Sequence, residues 1–411
     1  MKTCDVIVIG AGGVGTAAAG EVARRGARAI AIDRFAPGHD LGSSHGQTRI
    51  IRQAYFEHRD YVPLLVEAYR LWHRLEERRG ERLLDPVGLV EIGPAAGTVV
   101  AGVLASAAAH GLDVEQLSAS EIERRFPGLR VPEGLVGVFE RQAGYLLVER
   151  AVIAQAAEAE RAGAALHLGE TVLAWQARGG GVAVQTDRDI YVAGRLIVSA
   201  GAWAGPLLSD LKIPLRVLRK AVYWFEPQSD AYRSDRGMPT FLFDLPATGS
   251  DANRPAARQS EAAGDAATGG ELFSPELGNC FYGFPQIDAR GVKVAEHSGG
   301  TVVDDPSQVD RRPDPADERR VTDFCSAHLP QLNGRRLETS VCLYTMTPDG
   351  HFVVDRHPER PQVALAAGLS GHGFKFVPVL GRILADLALD GRTSLPIDFL
   401  SCRRPALGER G

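Results

Sequence analysis

Apolar positions along the chain follow two periods, and the strand period opens it. Met1 to Ile9 ends in the unbroken apolar run Val6 to Ile9 and reads as a buried first strand. An Ala-rich helix follows through Val22 and Ala23, and a second apolar run, Ala27 to Ile32, ends at Asp33. Helical spacing returns from Tyr61 to Arg79, with Leu65, Ala68, Leu71, Trp72 and Leu75 as its stripe and Gly80 as its stop. Leu89 to Ile92 reads as a short strand, Thr98 to His110 and Ser118 to Arg125 as helices, and Gly137 to Glu140 as a strand. Gly144-Tyr145-Leu146 is expected to be a turn leading into a long helix, Val148 to Ala162. Strands follow at Ala165 to Leu168, Val172 to Trp175, Val182 to Thr186 and Arg195 to Ala200.

From Leu215 the texture becomes β-type. Lys220 to Phe225, Pro239 to Leu245, Cys280 to Phe284 and Gly291 to Glu296 read as strands. Residues 247–278 are poor in large apolar side chains and rich in Ala, Gly, Ser and charge, so they read as an inserted, mobile surface excursion. Asp304 to Arg312 is a charged link, and Asp317 to Leu329 a helix with Asp314 near its cap, broken by Pro330 to Arg336. Leu337 to Tyr344 reads as a strand carrying Cys342 and Tyr344 on one face. His351 to Asp355 and Val363 to Gly368 are strands, and Val377 to Leu389 the last helix.

A chain of 411 residues exceeds a typical single core, so two domains are expected. The formal net charge of -5 gives no basic footprint for nucleic acid. No apolar run is long enough to span a bilayer, and the first strand begins so near Met1 that no leader is expected. The five cysteines are scattered without metal-ligand spacing, which predicts free thiols in a reduced cytoplasmic setting and no metal.

The chemistry starts at the first turn. Gly10, Gly12 and Gly15 stand in the spacing G-x-G-x-x-G between the first strand and its helix, and Asp33 closes the second strand. This is the arrangement of a dinucleotide site. Gly10 permits the turn, Gly12 lets backbone approach a pyrophosphate, Gly15 lets helix and strand pack closely, and Asp33 is placed for ribose hydroxyls. The motif alone does not separate FAD from NAD. After Asp33 and Arg34 comes a small, polar segment with Ser43, Ser44, His45 and Thr48, then Arg49 and Arg52 three apart. Were it helical, both guanidinium groups would share one side; the alternative is a solvated loop. The strand ending near Gly201 offers a second close backbone approach, implying a cofactor domain discontinuous in sequence. The run Gly368 to Phe376, with Gly371, Gly373 and Lys375, reads as a second cofactor-facing loop or as a glycine-rich turn with a surface lysine.

These motifs, in order, are DVIVIGAGGVG, GSSHGQTRIIRQAY, RLIVSAGAW, FYGFP, GVKVAEH, VCLYTMTPDGHFVVD and GLSGHGFKF. The chain resembles, nearly end to end, the monomeric sarcosine oxidase and N-methyltryptophan oxidase family, amine oxidases with covalently attached FAD. The excursion at 247–278 is the main departure. The resemblance implies an α/β plus mixed-sheet fold, in which a Rossmann-like FAD-binding domain (1–85, 144–216 and 348–411) is interleaved with a catalytic domain (86–143 and 217–347) on a mixed, largely antiparallel sheet. It implies a monomer acting on a small secondary amino acid and O2.

The resemblance also assigns residues. Cys342 looks like the cysteine bonded to the flavin, and His45 and Arg49 like residues packed against it. Arg52 and Lys375 look like the substrate-carboxylate pair, Tyr282, Tyr344 and His297 like the cavity lining, and Lys293 like the oxygen-activating lysine. Gly10, Gly12, Gly15, Asp33, Arg34, Ser43, Ser44, Thr48, Val172, Gly201, Gly371 and Gly373 fall with the cofactor. Tyr282 and Tyr344 remain open to a core role, and Lys293 to a surface one. Open alternatives are an oxidase of a cyclic or bulkier secondary amino acid, a flavin dehydrogenase with another acceptor, and a non-catalytic FAD-binding protein.

Overall fold

The computed structural model describes residues 1–246 and 279–408, so the excursion expected at 247–278 lies outside the described residues. The strand Lys2–Ile9 runs through the middle of an eight-stranded sheet. It pairs in parallel with Ala29–Asp33 on one side and Ile190–Val198 on the other. Ala165–Leu168 extends the sheet beyond Ala29–Asp33, and Val363–Ala367 lies parallel to Ile190–Val198. Parallel strands are covered on both faces, which is why these segments read as continuous apolar runs rather than alternations. The helices Gly13–Arg24, Tyr61–Arg79, Val148–Arg161 and Val377–Leu389 supply much of that cover. Gly13–Arg24 and Val377–Leu389 pack so tightly that a Cβ on Gly381 would fall 2.5 Å from the Cβ of Ala17.

A nine-stranded sheet forms the second body of structure. Its long strand Arg216–Pro227 pairs antiparallel with Val292–Glu296 and with Leu332–Met346. Asn279–Phe284, Thr240–Leu245, Leu89–Pro94, Leu135–Glu140 and Glu115–Ser118 continue it, and Thr240–Leu245 with Leu89–Pro94 is its parallel pair. Its own core is aromatic, with Tyr223, Phe225, Phe241 and Phe243 fully buried. A small antiparallel sheet, Thr48–Ile51 with Gly144–Leu147 and Leu84–Asp85, forms a third set of strands. Among the described residues no helix is long and apolar enough to cross a membrane.

One open reading is decided, one expectation is corrected and one is extended. The segment carrying Arg49 and Arg52 is not helical. Gly46 and Gln47 take φ of 86° and 70°, and β-branched Thr48, Ile50 and Ile51 then form a strand whose partner lies about a hundred residues away. Gly144 to Leu146 is likewise a strand rather than a turn. A Cβ on Gly144 would stand 2.0 Å from the Asp85 carbonyl, so glycine lets this strand approach closely. Pro330 to Arg336 breaks the helix Pro315–His328 but then joins the sheet, because Leu332 already pairs with Pro227 across a bulged register. The Asp314 cap is present, its carboxylate accepting from Ala316 N–H at 2.8 Å.

Candidate active site

A cavity of about 1320 Å³ opens at the carboxyl ends of the parallel strands. Gly10, Gly12, Asp33, Arg34, Val172 and Gly201 line one part of it, and Ser43, Ser44, Arg49, Gly371 and Gly373 another. The glycine turn is bare toward it. Gly10 has φ of 95°, open space surrounds the position of a Cβ on Gly12, and a Cβ on Gly15 would strike the Gly10 carbonyl at 1.7 Å. The helix Gly13–Arg24 has no side-chain cap at Gly12, which leaves its first N–H groups for an anion. Asp33 is held rigidly, accepting from Ala11 N–H at 2.7 Å and Phe35 N–H at 2.9 Å. Two buried polar atoms at this end have no partner among the described residues: Thr345 Oγ1, in the cavity wall, and His45 Nε2. An orphan of this kind is costly unless a ligand satisfies it. The residues therefore fit a bound dinucleotide.

One layer behind the wall sits Cys342. Its sulfur is 3.1 Å from Arg49 Nη2 and 3.9 Å from His45 Nδ1. Burial alone would raise its pKa, but the Arg49 cation and the His45 contact outweigh burial and bring it down to about 6. Burial instead pushes Cys280 and Cys325 up, and Cys4 up to about 11. All five cysteines are buried and unbridged. Cys342 is the thiol whose surroundings favour the thiolate. Lys293 lies nearby, its Nζ donating to the carbonyls of Gly46 and Thr48 and resting 4.7 Å from the Phe284 ring. It is 1% exposed, which removes the surface alternative. Burial and the Arg49 charge hold its pKa well below the ordinary lysine value.

A second cavity, about 510 Å³, adjoins the first through Arg49, Tyr344, Gly371 and Phe374. Arg52, Lys375, Tyr282, His297 and Leu242 line it as well. Tyr344 packs over Gly371 so closely that a Cβ there would stand 2.4 Å from the ring, and its hydroxyl lies 3.4 Å from His297 Nδ1. Burial pushes His297 down to about 3, so its imidazole is neutral. Arg52 is sandwiched by Tyr55 and Phe56, 4.6 and 4.4 Å from the ring centres, and pairs with Glu57 at 2.6 Å and Glu91 at 3.2 Å. The two acids divide. Burial raises Glu57, but the Arg52, His372 and Lys375 side chains overcome that and bring it to about 2. Burial pushes Glu91 up to about 8 despite Arg52.

The family described as FAD dependent oxidoreductase matches residues 5–387. Monomeric sarcosine oxidase of Streptomyces avermitilis is 40% identical over 407 residues, 98% of each chain. The chain belongs to the monomeric sarcosine oxidase and N-methyltryptophan oxidase family. N-methyl-L-tryptophan oxidase of Salmonella dublin is 34% identical over 95% of each chain. The structure is similar to NikD, an unusual amino acid oxidase essential for nikkomycin biosynthesis, with a TM-score of 0.81, 27% identity and 98% of each chain covered. This member is thus an FAD-dependent amine oxidoreductase with the mixed α/β fold of the family.

The family member's expected residues divide by position. Most line the two cavities, whereas Gly15, His45, Thr48, Lys293 and Cys342 stand behind their walls. Sequence reasoning missed Glu57, Glu91 and Tyr55, and gave His372 no role. Glu91 had a signal: a carboxyl inside the apolar strand run Leu89 to Ile92 must find a polar partner or hold its proton.

Proposed function

We propose that this FAD-dependent enzyme oxidises a small secondary amino acid of the sarcosine type. The overall reaction converts an N-methyl amino acid, O2 and water into the amino acid, formaldehyde and hydrogen peroxide. The observation that carries the reading is the meeting of Arg52 and Lys375 in an aromatic cavity that shares its wall with the dinucleotide cavity. Bound FAD supplies the two-electron redox chemistry; the chain supplies binding, orientation and electrostatics.

Arg52 offers a planar fork to the substrate carboxylate and Lys375 a point charge. Tyr282, Tyr344 and His297 wall the amine and exclude water, and the neutral imidazole adds no charge to repel it. Reaction requires the unprotonated amine, which the surrounding cations favour. Arg49 and His45 present positive and hydrogen-bonding groups to the flavin side, and Lys293 is the group that promotes O2 reduction. Cys342 is the covalent attachment point. Segments 1–85, 144–216 and 348–411 form the FAD-binding domain, and 86–143 with 217–347 the catalytic domain. The enzyme acts as a cytoplasmic monomer.

The apolar Phe56 and Leu242 walls of the second cavity keep a bulkier or cyclic secondary amino acid in play. Aerobic turnover tests the proposal. Sarcosine should yield formaldehyde and peroxide in equal amounts; substrate loss without peroxide would replace the oxidase by a dehydrogenase.

A further inference from the structure

Lys375 reaches the smaller cavity at the end of a hydrogen-bond chain that the reaction above leaves unused. Its Nζ donates to the Tyr55 hydroxyl at 3.3 Å and to the His372 carbonyl at 2.9 Å. The Tyr55 hydroxyl lies 2.6 Å from His372 Nδ1, and His372 Nε2 lies 2.9 Å from the Gly350 carbonyl. The direction of this chain follows from the donor inventory. A carbonyl only accepts, so Nε2 carries the ring hydrogen and Nδ1 of the neutral imidazole accepts. Tyr55 therefore donates to His372, and its oxygen is left to accept from Lys375. Burial supports the same protonation states: it pushes His372 down to about 4 and the Tyr55 phenol well above its ordinary range.

The surroundings give this orientation a purpose. Arg52 already faces Glu57 and Glu91, so Lys375 is the cation less committed to protein carboxylates. Arg52 opposes its charge; Glu57 and Glu91 favour it. Trp72 fixes the backbone beneath it, donating to the Lys375 carbonyl at 2.9 Å. Two of the three Nζ hydrogens are directed at Tyr55 and the His372 carbonyl, which leaves the third for the cavity that Lys375 lines.

We propose that Tyr55 and His372 are positioning residues that aim the Lys375 ammonium at the substrate carboxylate and so select carboxylated amines. This rests on the reading of Lys375 given under the proposed function. Neither residue is assigned a part in the chemical step. The Tyr55 ring also stacks on Arg52, but its hydroxyl bonds Lys375; Tyr55→Phe keeps the ring and removes only the hydroxyl, so a double-mutant cycle with Lys375 isolates the relay.

The test is calorimetric titration of the flavin-loaded enzyme with propionate, a carboxylate that carries no amine. Tyr55→Phe should weaken propionate binding about tenfold, the size of one lost charge-assisted hydrogen bond. The same change in a Lys375→Met background should have no further effect. In turnover, Tyr55→Phe should raise KM for sarcosine by a similar factor and leave kcat within about twofold. Equal weakening in both backgrounds, or none in the wild-type background, would overturn the proposal. If Lys375→Met alone leaves propionate affinity unchanged, the carboxylate role of Lys375 fails first, and the relay with it. Should Tyr55→Phe lose flavin, His372→Ala carries the same cycle, since it frees the Tyr55 hydrogen and removes the directionality.

Discussion

Arg49 Nη2, on a half-buried side chain that lines both cavities, lies 3.1 Å from the sulfur of the buried Cys342. Burial and a neighbouring cation pull a thiol in opposite directions, and here the cation wins, bringing the pKa to about 6. Cys342 is therefore mostly thiolate at neutral pH, the form that attacks an electrophilic carbon.

Cys342→Ser should abolish covalent flavin. Denaturing electrophoresis checks this: the wild-type band should keep flavin fluorescence and the variant band lose it. Arg49→Gln leaves burial unopposed by the nearest cation, so the thiol pKa rises. Covalent incorporation into apoenzyme should then shift its pH midpoint from near 6 toward the alkaline side. An unmoved midpoint would contradict the thiolate account.

Lys293 makes no ion pair with a carboxylate among the described residues; carbonyls of Gly46 and Thr48 hold it instead. Lys293→Met should slow reoxidation of the reduced enzyme by O2 far more than reduction by amine. Rapid-mixing absorbance of the two half-reactions separates them. Equal slowing of both would remove Lys293 from the oxygen step.

Arg52 is 3% exposed and joins two acids whose pKa values move apart. Arg52→Met should cost about 3–5 kcal/mol of stability, because Glu57 loses its buried partner. A further Glu57→Gln change should restore part of this, as read from chemical denaturation. The signs of the pH dependence follow from the shifts. Glu57, lowered to about 2, contributes stability above pH 4.5 that is lost as pH falls toward 2. Glu91, raised to about 8, binds its proton more tightly when folded, so its contribution fades as pH rises from 4.5 through 8.

Burial, with Arg52 as a like charge, brings Lys375 down to about 7 despite Glu57 and Glu91. Its ammonium is lost as pH rises through that value. KM for sarcosine should therefore rise above about pH 7, while deprotonation of the amine itself raises kcat/KM over the same range. Lys375→Arg, which keeps its charge, should flatten the KM dependence. A KM independent of pH from 6 to 9 would remove Lys375 from carboxylate binding.

Much of this frame is legible in the sequence alone. The first strand, the glycine turn and Asp33 are local in sequence, and the helices Tyr61–Arg79, Thr98–His110 and Val377–Leu389 fall where their spacing puts them. Arg49, Arg52 and Cys342 were legible only through family resemblance, because nothing local says that Arg49 meets a thiol 293 positions away. The strand Thr48–Ile51 was open to a helical reading for the same reason: its partner, Gly144–Leu147, is distant in sequence. Glu57 and Tyr55 lie in a short stretch of mixed polar and aromatic residues without a helix or strand period, and their burial comes from tertiary packing on Arg52 and the glycine-rich run before Lys375. Glu91 breaks an apolar strand pattern, the one local sign of a buried carboxyl group.

The most direct measurement is an anaerobic titration of the purified flavoprotein with sarcosine, N-methyltryptophan, pipecolate, proline and glycine, following the visible flavin absorbance. Stoichiometric bleaching by at least one secondary amino acid, with glycine inert, is the predicted result. A protein that is yellow yet bleached by none of the secondary amines would contradict the assignment as a secondary amino acid oxidase.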